Sequence, residues 1–462
     1  MRRLLLAMLV TGLVPTTASA NGRAPGTNGV FFAPSDPHTI WVRTTFGPLV
    51  SHDDGCTFHW ICEQNVGYAG QFDPKYRIAT DGTIFASTFS GLRVSHDNGC
   101  SFTTATASLP VGSPGRIADI WIDALDIGPT GEIWAATAES GKPNDIYKST
   151  DNGATFAPAG MQSPTIWWKS VTVAPSDART VYITGYQVAG MFDDGGQMPP
   201  TAHFVTTTDG GGHWSESPLA NVAYGSTPLL YVTGAQPGTP MTALMYSAGA
   251  NPPSGDLLYR TTDGGTTFAQ VLATTDPIRD VIYRDATHVI VATVAGGSYS
   301  SGDGGATFAP MAGTPQLACL GQNNGTLYGC GANWDPDFKA VAKSSDAMTW
   351  SKVFRFVELA GPLACPAGTA EHDVCAPLWP SLQQQFGASG PTCGVAAGDP
   401  TPDATVVKKS GCCDAGEGAP VGLAWAFALG LWLSRRRRAS SGSAARPAAR
   451  ASSDRSRSAD PR

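Results

Sequence analysis

Aromatic and acidic side chains stand close together in two segments of the chain, between residues 186 and 201 and between residues 333 and 339. Aromatic rings stack against apolar ligand faces, and a neighbouring carboxylate accepts hydrogen bonds or pairs with a basic group. We therefore predict that these side chains contact a carbohydrate or a protein. The six candidate residues are Tyr186, Phe192, Asp193, Asp194, Trp334 and Asp335.

The adjacent acids Asp193 and Asp194 raise the question of a cation site. Calcium takes oxygen ligands, but an EF-hand loop needs a Glu at its twelfth position, and the spacing after Asp193 does not match one. We expect a solvated loop here. No metal and no other cofactor is predicted.

A second set of acids recurs along the chain in one short pattern. A Ser or Thr precedes the Asp by two residues, and in six of seven copies a Gly follows by two and an aromatic by five, as in STDNGATF and TTDGGTTF. An Asp in a tight turn accepts backbone N–H groups, and Gly adopts a positive φ. We therefore assign these carboxylates a structural role. They are Asp53, Asp97, Asp151, Asp209, Asp263, Asp303 and Asp346.

The spacing of these turns predicts the fold. Successive Asp residues are 40 to 58 positions apart, which is about the length of a four-stranded propeller blade. Short β-branched runs between the turns suit strands. The pattern resembles the Asp-box, or BNR, repeat of the sialidase-like superfamily. We predict an all-β protein: a single seven-bladed β-propeller of four-stranded antiparallel blades over residues 29–357.

In this arrangement each Asp turn joins the third and fourth strands of its blade, with the inner strand first. The loops between second and third strands then emerge on the opposite face, together with the connections between blades. Four of these loops are expected to be long, and two of them contain the six candidate residues. Long loops on one face of a rigid scaffold commonly bind ligands. The four segments are residues 139–144, 186–201, 247–254 and 333–339.

An enzyme is the main alternative, because sialidases share the Asp-box. The resemblance to sialidases implies three converging Arg, a Tyr–Glu nucleophile pair and an Asp acid/base. The family's Arg motif, Phe/Tyr-Arg-Ile-Pro, has only the partial counterpart YRIA at Tyr76–Ala79, which follows the first Asp turn and lacks the Pro. Arg93 and Arg260 directly precede Asp turns and are expected at the opposite rim. No catalytic residue is predicted.

The ten Cys are interpreted as disulfide-forming. Cys319 and Cys330 flank a predicted hairpin and are expected to pair, and Cys365 with Cys375 would close a second short loop. Residues 358–386 are predicted to form a clasp at the junction of the first and last blades. Its short helix would have Leu378, Trp379, Leu382 and Phe386 on one side.

Both ends of the chain are predicted to be targeting segments. Residues 1–20 have a basic start, an apolar run and small residues ending at Ala20, which is typical of a signal peptide. After a flexible linker over residues 387–410, residues 411–438 contain Cys412 and Cys413, an apolar stretch predicted to be helical and an Arg cluster. This segment resembles the MYXO-CTERM class of bacterial sorting signals, and an ordinary membrane anchor is the alternative. Residues 439–462 are a basic tail.

Charge excludes one class of partner. Between the signal peptide and the basic C-terminus, residues 21–433 carry 19 Lys and Arg against 35 Asp and Glu. Such an acidic body repels nucleic acid, whose affinity comes mainly from neutralised phosphates. We therefore predict an exported, surface-tethered binding or scaffold protein without catalytic activity. A glycoside hydrolase and a structural envelope protein are the alternatives.

Overall fold

The computed structural model describes residues 24–69, 72–191, 197–293 and 297–393. Within them the chain forms seven blades of four antiparallel strands in sequence order, and the sheet of blade one gains a fifth, parallel strand. The first three blades are blade one (β1 Thr27–Ala33, β2 Asp36–Thr44, β3 Leu49–Ser51, β4 His59–Trp60), blade two (β5 Tyr76–Ile78, β6 Ile84–Thr88, β7 Gly91–Ser95, β8 Thr103–Thr104) and blade three (β9 Ile122–Ile127, β10 Ile133–Thr137, β11 Ile146–Ser149, β12 Ala157–Pro158).

Blade four contains an additional small hairpin, β15–β16, between its second and third strands. The remaining blades are blade four (β13 Ile166–Ala174, β14 Asp177–Gln187, β15 Gly190–Met191, β16 Gln197–Met198, β17 Thr201–Thr207, β18 Ser215–Glu216), blade five (β19 Leu230–Ala235, β20 Ala243–Asn251, β21 Gly255–Thr261, β22 Ala269–Ala273), blade six (β23 Ile278–Tyr283, β24 Val289–Thr293, β25 Ser298–Ser301, β26 Ala309–Met311) and blade seven (β27 Cys319–Asn323, β28 Thr326–Cys330, β29 Val341–Ser344, β30 Ser351–Phe354).

The first strands of consecutive blades lie side by side around one axis, and β1 contacts β27, which closes the ring. Second strands such as β10 and β24 are buried along their whole length, because adjacent blades cover both of their faces. Outer strands such as β12 are exposed. The predicted seven-bladed propeller is confirmed.

The hydrophobic core is divided into layers between neighbouring blades. Phe85 of blade two packs with Ile133 of blade three, and Tyr182 of blade four packs with Met245 of blade five. Each layer buries apolar side chains from two sheets, so that the blades stabilise one another pairwise.

Six of the seven Asp turns have the same hydrogen bonds. In blade five the Thr261 hydroxyl donates to Asp263 Oδ1 at 2.9 Å, the N–H of Thr267 donates to the same oxygen at 2.9 Å, and the N–H of Gly265 donates to Thr261 Oγ1 at 2.8 Å. In the shortened seventh turn the Ser344 hydroxyl and the N–H of Thr349 still donate to Asp346 Oδ1, at 2.9 and 2.7 Å. There the N–H of Ala347 takes the place of the glycine and donates to Ser344 Oγ at 2.9 Å. These carboxylates therefore fix the turn between the third and fourth strands of every blade.

The post-propeller segment, residues 355–393, follows blade seven and packs on blade one. Its short elements precede an eight-residue helix that buries Leu382 and Phe386, whereas Leu378, expected on the buried side, is 40% exposed. Phe386 lies against Phe46 of blade one, with ring centroids 4.8 Å apart. The propeller itself contains one short helix, α1 (Glu63–Val66), after β4. The elements of the post-propeller segment are a 3₁₀ turn (Phe356–Glu358), β31 (Gly361–Pro362, parallel to β4), a π-helical turn (Glu371–Cys375), a second 3₁₀ turn (Ala376–Leu378) and α2 (Trp379–Phe386).

Four disulfides form among the described residues. Cys319 and Cys330 are joined across the β27–β28 pair, where they are direct cross-strand partners. The expected Cys365–Cys375 bond is wrong, because both cysteines face the propeller rather than each other. The three bonds that tie the post-propeller segment to blades one and two are Cys56–Cys393, Cys62–Cys375 and Cys100–Cys365.

Candidate ligand-binding face

The ring has two chemically different faces. The Asp-turn face consists of the seven Asp turns and the turns between first and second strands. The loop face consists of the turns between second and third strands and the connections between blades. Five His residues lie on the Asp-turn face, several beside a carboxylate, as where His38 Nδ1 is 2.9 Å from Asp54. The loop face instead carries most of the exposed large apolar side chains.

Aromatic rings from three blades meet on the loop face. Phe89 lies in the turn between β6 and β7, Trp121 and Trp167 lie at the starts of β9 and β13, and Tyr186 lies near the end of β14. Neighbouring ring centroids are 4.6 to 6.0 Å apart, which is the range of favourable edge-to-face contact. We call this set the aromatic row: Phe72, Phe89, Trp121, Trp167 and Tyr186.

Most of the exposed apolar side chains lie on the same face as this row. Among the described residues, eight large apolar side chains are classed as exposed, and five of them lie on the loop face. These five occur in blades two and four and in the connections up to blade five. They are Phe89 (45% exposed), Leu109 (37%), Val111 (90%), Val188 (44%) and Tyr224 (39%).

A shallow cavity adjoins the row beside Phe89. Its volume is about 410 Å³, and its walls are formed by Gly67, Tyr68, Ala69, Phe89 and Ser90. No charged side chain contributes to these walls. The cavity therefore offers a concave, uncharged surface next to an exposed aromatic ring.

Part of the post-propeller segment covers the loop face above blades seven and one, while its disulfides to Cys56 and Cys100 reach the Asp turns of blades one and two. Phe356 contacts Trp334 edge-on at 5.8 Å and Phe46 at 5.1 Å, and the N–H of Phe356 donates to the Asn333 side chain at 2.7 Å. The loop face above blades two to five carries no comparable cover among the described residues. A ligand approaching this face therefore meets blades two to five.

Three of the six predicted binding residues lie in the described part of the chain, with Tyr186 in blade four and Trp334 and Asp335 in blade seven. Tyr186 joins the aromatic row, but it lies within β14 and is only 4% exposed, and burial raises its pKa to about 12. Trp334 is half-buried under the post-propeller segment, and Asp335 is exposed beside it. Phe192, Asp193 and Asp194 lie outside the described residues, as do Ala20, Cys412 and Cys413.

The expected long loop of blade five is also wrong in part. Residues 247–251 belong to β20, because the strand continues past the sheet and pairs Asn251 with Gly255. Only three residues remain between β20 and β21. The turn is consequently short, and the loop face there consists of strand ends.

The remaining members of the aromatic row, together with Leu109 and Val111, were not predicted from the sequence. They occupy a short turn, strand starts and a connection between blades, whereas the prediction considered the longest loops. A usable signal was present, since Phe72, Trp121 and Trp167 each stand at or just before the first strand of consecutive blades.

The acids of the central channel tie neighbouring blades together. Asp126 of blade three accepts the N–H of Val173 in blade four at 2.9 Å, and Asp280 of blade six accepts the N–H of Leu320 in blade seven at 2.8 Å. Burial raises the pKa of Asp280 to about 6. These carboxylates accept hydrogen bonds from backbone N–H groups on the inner edges of first strands, which have no neighbouring strand to pair with.

Basic groups in the channel are balanced by these acids. Arg77 Nε lies 2.9 Å from Asp126 Oδ1, and Lys169 Nζ lies 2.8 Å from Asp123 Oδ2. Two other arginines donate to backbone carbonyls instead. Arg93 donates to the carbonyls of Val66 and Phe102, and Arg260 donates to the Gly304 carbonyl in the Asp turn of blade six.

Tyr76, the first residue of the YRIA string, and Tyr68 are both buried. Burial raises the pKa of both Tyr68 and Tyr76 above its ordinary value. A phenol with a raised pKa is a poor nucleophile, because its anion is disfavoured. Their environment therefore suits packing rather than nucleophilic attack.

The side chains of Cys62, Glu371 and Cys375 lie as close to one another as the ligands of a metal ion would. The two sulfurs form a disulfide and so cannot act as thiolate ligands. The group is part of the attachment of the post-propeller segment. Separately, none of the described helices has the length and apolar character needed to cross a membrane.

Comparisons with known proteins give structural neighbours at low similarity. No protein-family model matches the chain, and no curated protein matches it. The structure of YCF48 from Cyanidioschyzon merolae is similar with a TM-score of 0.44 and 17% identity, over 66% of this chain and 92% of that one. The GH74 xyloglucanase from Xanthomonas campestris gives 0.42 and 14%, over 76% of this chain and 69% of that one.

An ancestral GH74 enzyme gives a TM-score of 0.49 and 15% identity, over 73% of this chain and 47% of its own. These neighbours include enzymes and proteins of other kinds, and similarity at this level assigns no activity to the chain. The function must be argued from its own residues.

Proposed function

We propose that this protein is an exported, surface-tethered binding or scaffold protein that holds its ligand on the loop face of blades two to five. The observation that carries the proposal is that five of the eight exposed large apolar side chains among the described residues lie on the loop face, with Phe89 of the aromatic row among them. An exposed apolar cluster on a folded domain commonly marks an interaction site, because leaving it in water has a free-energy cost.

The position of the row supports a binding role. Phe89 and Trp121 come from different blades, yet their ring centroids are 4.8 Å apart, so the surface is held in place by the propeller ring. A preformed surface loses little conformational entropy when a ligand binds. The exposed ring of Phe89 and the adjoining cavity offer the ligand apolar contact.

The channel acids support binding rather than hydrolysis. A glycoside hydrolase needs two carboxyl groups facing the scissile bond across an open cleft. Here Asp126 and Asp280 accept backbone N–H groups of the next blade, and Asp123 pairs with Lys169. Carboxylates that hold these hydrogen bonds and this ion pair are poorly placed to exchange protons with a substrate.

Export is supported by the disulfides, because four bonds within one chain are typical of an oxidising compartment. Tethering remains a proposal that rests on the C-terminal sequence. Fractionation of the producing cells with an antibody to the propeller would test it, and recovery of the full chain from the cytoplasm would contradict it.

The binding role is tested with the full chain on glycan and peptide arrays and on a panel of fluorogenic glycosides. We expect binding without turnover, and we expect Phe89→Ala to weaken that binding by about tenfold. Met348→Ala is the matched control, since Met348 is 67% exposed on the opposite face. Turnover that is lost on changing Asp123 would establish the hydrolase alternative, and absence of any binding would favour the structural one.

A further inference from the structure

The disulfides that hold the post-propeller segment differ in exposure. Cys56 and Cys393 are both exposed, whereas Cys62 and Cys375 are both 0% exposed. We infer that Cys56–Cys393, called the exposed disulfide below, is a site of thiol–disulfide exchange. A small thiol opens this bond in the folded protein, and its opening changes the point at which the chain leaves the propeller.

Access separates this bond from the other disulfides. A thiolate must reach a sulfur atom to react with it, so exposure helps to decide which bond exchanges. In the third bond of the post-propeller segment, Cys100 is 8% exposed and Cys365 is half-buried. Cys319 and Cys330 in blade seven are 1% and 0% exposed. Of the four described disulfides, a thiol in solution therefore reaches the exposed disulfide most readily.

The Asp turn of blade one keeps its shape without the bond. Cys56 follows Asp53 by three positions, and the same position is Ala154 in blade three and Ala306 in blade six. The N–H of Cys56 donates to the Asp53 carbonyl at 3.1 Å, and the N–H of Thr57 donates to Asp53 Oδ1 at 2.8 Å. Because these hydrogen bonds lie within the turn, exchange does not require blade one to unfold.

The other end of the exposed disulfide is lightly held. Helix α2 ends at Phe386, and the N–H of Ser389 donates to the Val357 carbonyl at 2.8 Å. After Ser389 the described chain has neither helix nor strand, and the Thr392 hydroxyl donates to Glu358 Oε1 at 2.6 Å. Among the hydrogen bonds of the described residues, the one from Thr392 is what still holds this end once the bond has opened.

The rest of the post-propeller segment keeps its attachment when the exposed disulfide opens. The bonds Cys62–Cys375 and Cys100–Cys365 remain. Phe386 also stays packed against Phe46 of blade one, with ring centroids 4.8 Å apart. Opening is therefore a local event at the end of the segment, and the cover over blades seven and one stays in place.

Opening changes where the chain leaves the propeller. With the bond closed, Cys393 is fixed to the Asp turn of blade one. With the bond open, the last backbone hydrogen bond of the described chain joins Ser389 to Val357, which follows Phe356 on the loop face. Residues 390–393 then become free chain, which reaches about 14 Å when extended. The exposed disulfide thus keeps the exit of the chain at the Asp-turn face.

The exchange takes two balanced steps. The thiolate of a small thiol attacks one sulfur of the exposed disulfide, and the S–S bond breaks as a mixed disulfide forms. The other cysteine leaves as a thiolate and takes a proton from water. A second thiol molecule then attacks the mixed disulfide and releases the remaining cysteine. Two small thiols are oxidised to one disulfide, and Cys56 and Cys393 are reduced.

The first test measures the rate at which each bond opens. The full chain is treated with β-mercaptoethanol under native conditions, and the freed thiols are alkylated at intervals and located by peptide mass mapping. We expect Cys56 and Cys393 to be freed at least about tenfold faster than Cys100 and Cys365. Cys100 is the matched control, because it follows Asp97 of its own turn by three positions.

In denaturant the four bonds should open at similar rates, because the difference in access is then lost. Equal rates in the folded protein would overturn the inference. Earlier opening of a buried bond would overturn it as well, and so would opening of the exposed disulfide only when the protein unfolds.

The second test locates the exit of the chain by limited proteolysis of the full chain with a protease of broad specificity. The protected fragment should end at or beyond Cys393 in the parent, and within residues 389–392 in the variant that combines Cys56→Ser with Cys393→Ser. Cys100→Ser with Cys365→Ser is the control and should keep the end of the parent.

Parent protein treated with β-mercaptoethanol should give the same shortened fragment as the first variant, which repeats the test without any substitution. An unchanged fragment end in both the variant and the treated parent would overturn the change of exit. Neither measurement involves a ligand of the loop face, so the outcome is independent of the proposed function.

Discussion

Gly153 in the Asp turn of blade three lies directly against the ring of Phe85 in blade two. A Cβ built on Gly153 would come within 2.6 Å of Phe85 Cε1, and the residue has a φ of +82°. The glycine thus meets two requirements, a left-handed backbone and close approach of the neighbouring blade. The same relationship recurs between Gly99 of blade two and Ile61 of blade one, where the distance would be 2.7 Å. The Asp turns therefore contribute to packing between blades as well as to the turn itself.

Gly153→Ala should destabilise the protein by about 2–4 kcal/mol, through left-handed strain and overpacking against Phe85. Gly160→Ala is the matched control, because Gly160 lies in the same blade with a φ of +77° and would meet no atom within 4 Å. The control should lose only about 1 kcal/mol. Chemical denaturation measures both losses, and equal losses would contradict the role of the contact with Phe85.

Asp263→Ala should lower the free energy of unfolding by about 1–3 kcal/mol near neutral pH, since the turn loses its acceptor for Thr261 and Thr267. The Thr267 hydroxyl is the main cause of the lowered pKa of Asp263. A lowered folded-state pKa stabilises the protein above the ordinary value of 3.8, and this contribution is lost as the pH falls.

The difference between the parent and Asp263→Ala should therefore shrink in acid. Gln270→Ala, at an exposed position of the same blade, is the control and should change little. Melting curves recorded from neutral to acidic pH check both statements. A variant as stable as the parent at neutral pH would remove the structural role assigned to this carboxylate.

Glu371 should make the attachment of the post-propeller segment sensitive to pH. Its buried carboxylate accepts hydrogen bonds from the Asn65 amide at 3.0 Å and from the N–H of Cys62 at 3.3 Å, and burial raises its pKa from 4.5 to about 7. A raised folded-state pKa gives a contribution that is present below pH 4.5 and is lost as the pH rises through 7. The two pKa values correspond to a loss of about 3 kcal/mol.

Glu371→Gln keeps the shape of the side chain and removes the proton equilibrium. We expect the difference in free energy of unfolding between Glu371→Gln and the parent to shift in favour of the variant as the pH rises from 4.5 to 7. Asp373→Asn, an exposed position on the same turn, should show no such trend. A parallel pH profile for the parent and Glu371→Gln would contradict the assignment.

Removing the three disulfides that hold the post-propeller segment should uncover the loop face of blades seven and one. Alanine at their six cysteines should increase binding of an apolar fluorescent dye, because Phe46 and Trp334 in the propeller lose their contacts with Phe386 and Phe356. The matched control is Cys319→Ala with Cys330→Ala, which removes a bond within one hairpin and leaves the cover in place. Equal dye binding by both variants would show that the apolar contacts alone retain the segment.

Local sequence was sufficient to predict the blades. An Asp turn is built from hydrogen bonds within about eight residues, as between Thr261, Asp263 and Thr267, so its signature survives in the linear sequence and its period gives the number of blades. The hairpin bond between Cys319 and Cys330 was predictable for the same reason. The structural role of the seven carboxylates follows from chemistry that each turn contains within itself.

The tertiary structure alone decided the partners that lie far apart in the chain. Cys62 and Cys375 are 313 positions apart, and nothing near Cys375 distinguishes this pairing from a bond to Cys365. The aromatic row likewise depends on the ring, because Phe89, Trp121 and Tyr186 become neighbours only when three blades are placed side by side. The cover over Trp334 arises from a segment that returns to blade one after the last strand. Contacts of this kind depend on how whole sheets pack, and no short stretch of sequence encodes them.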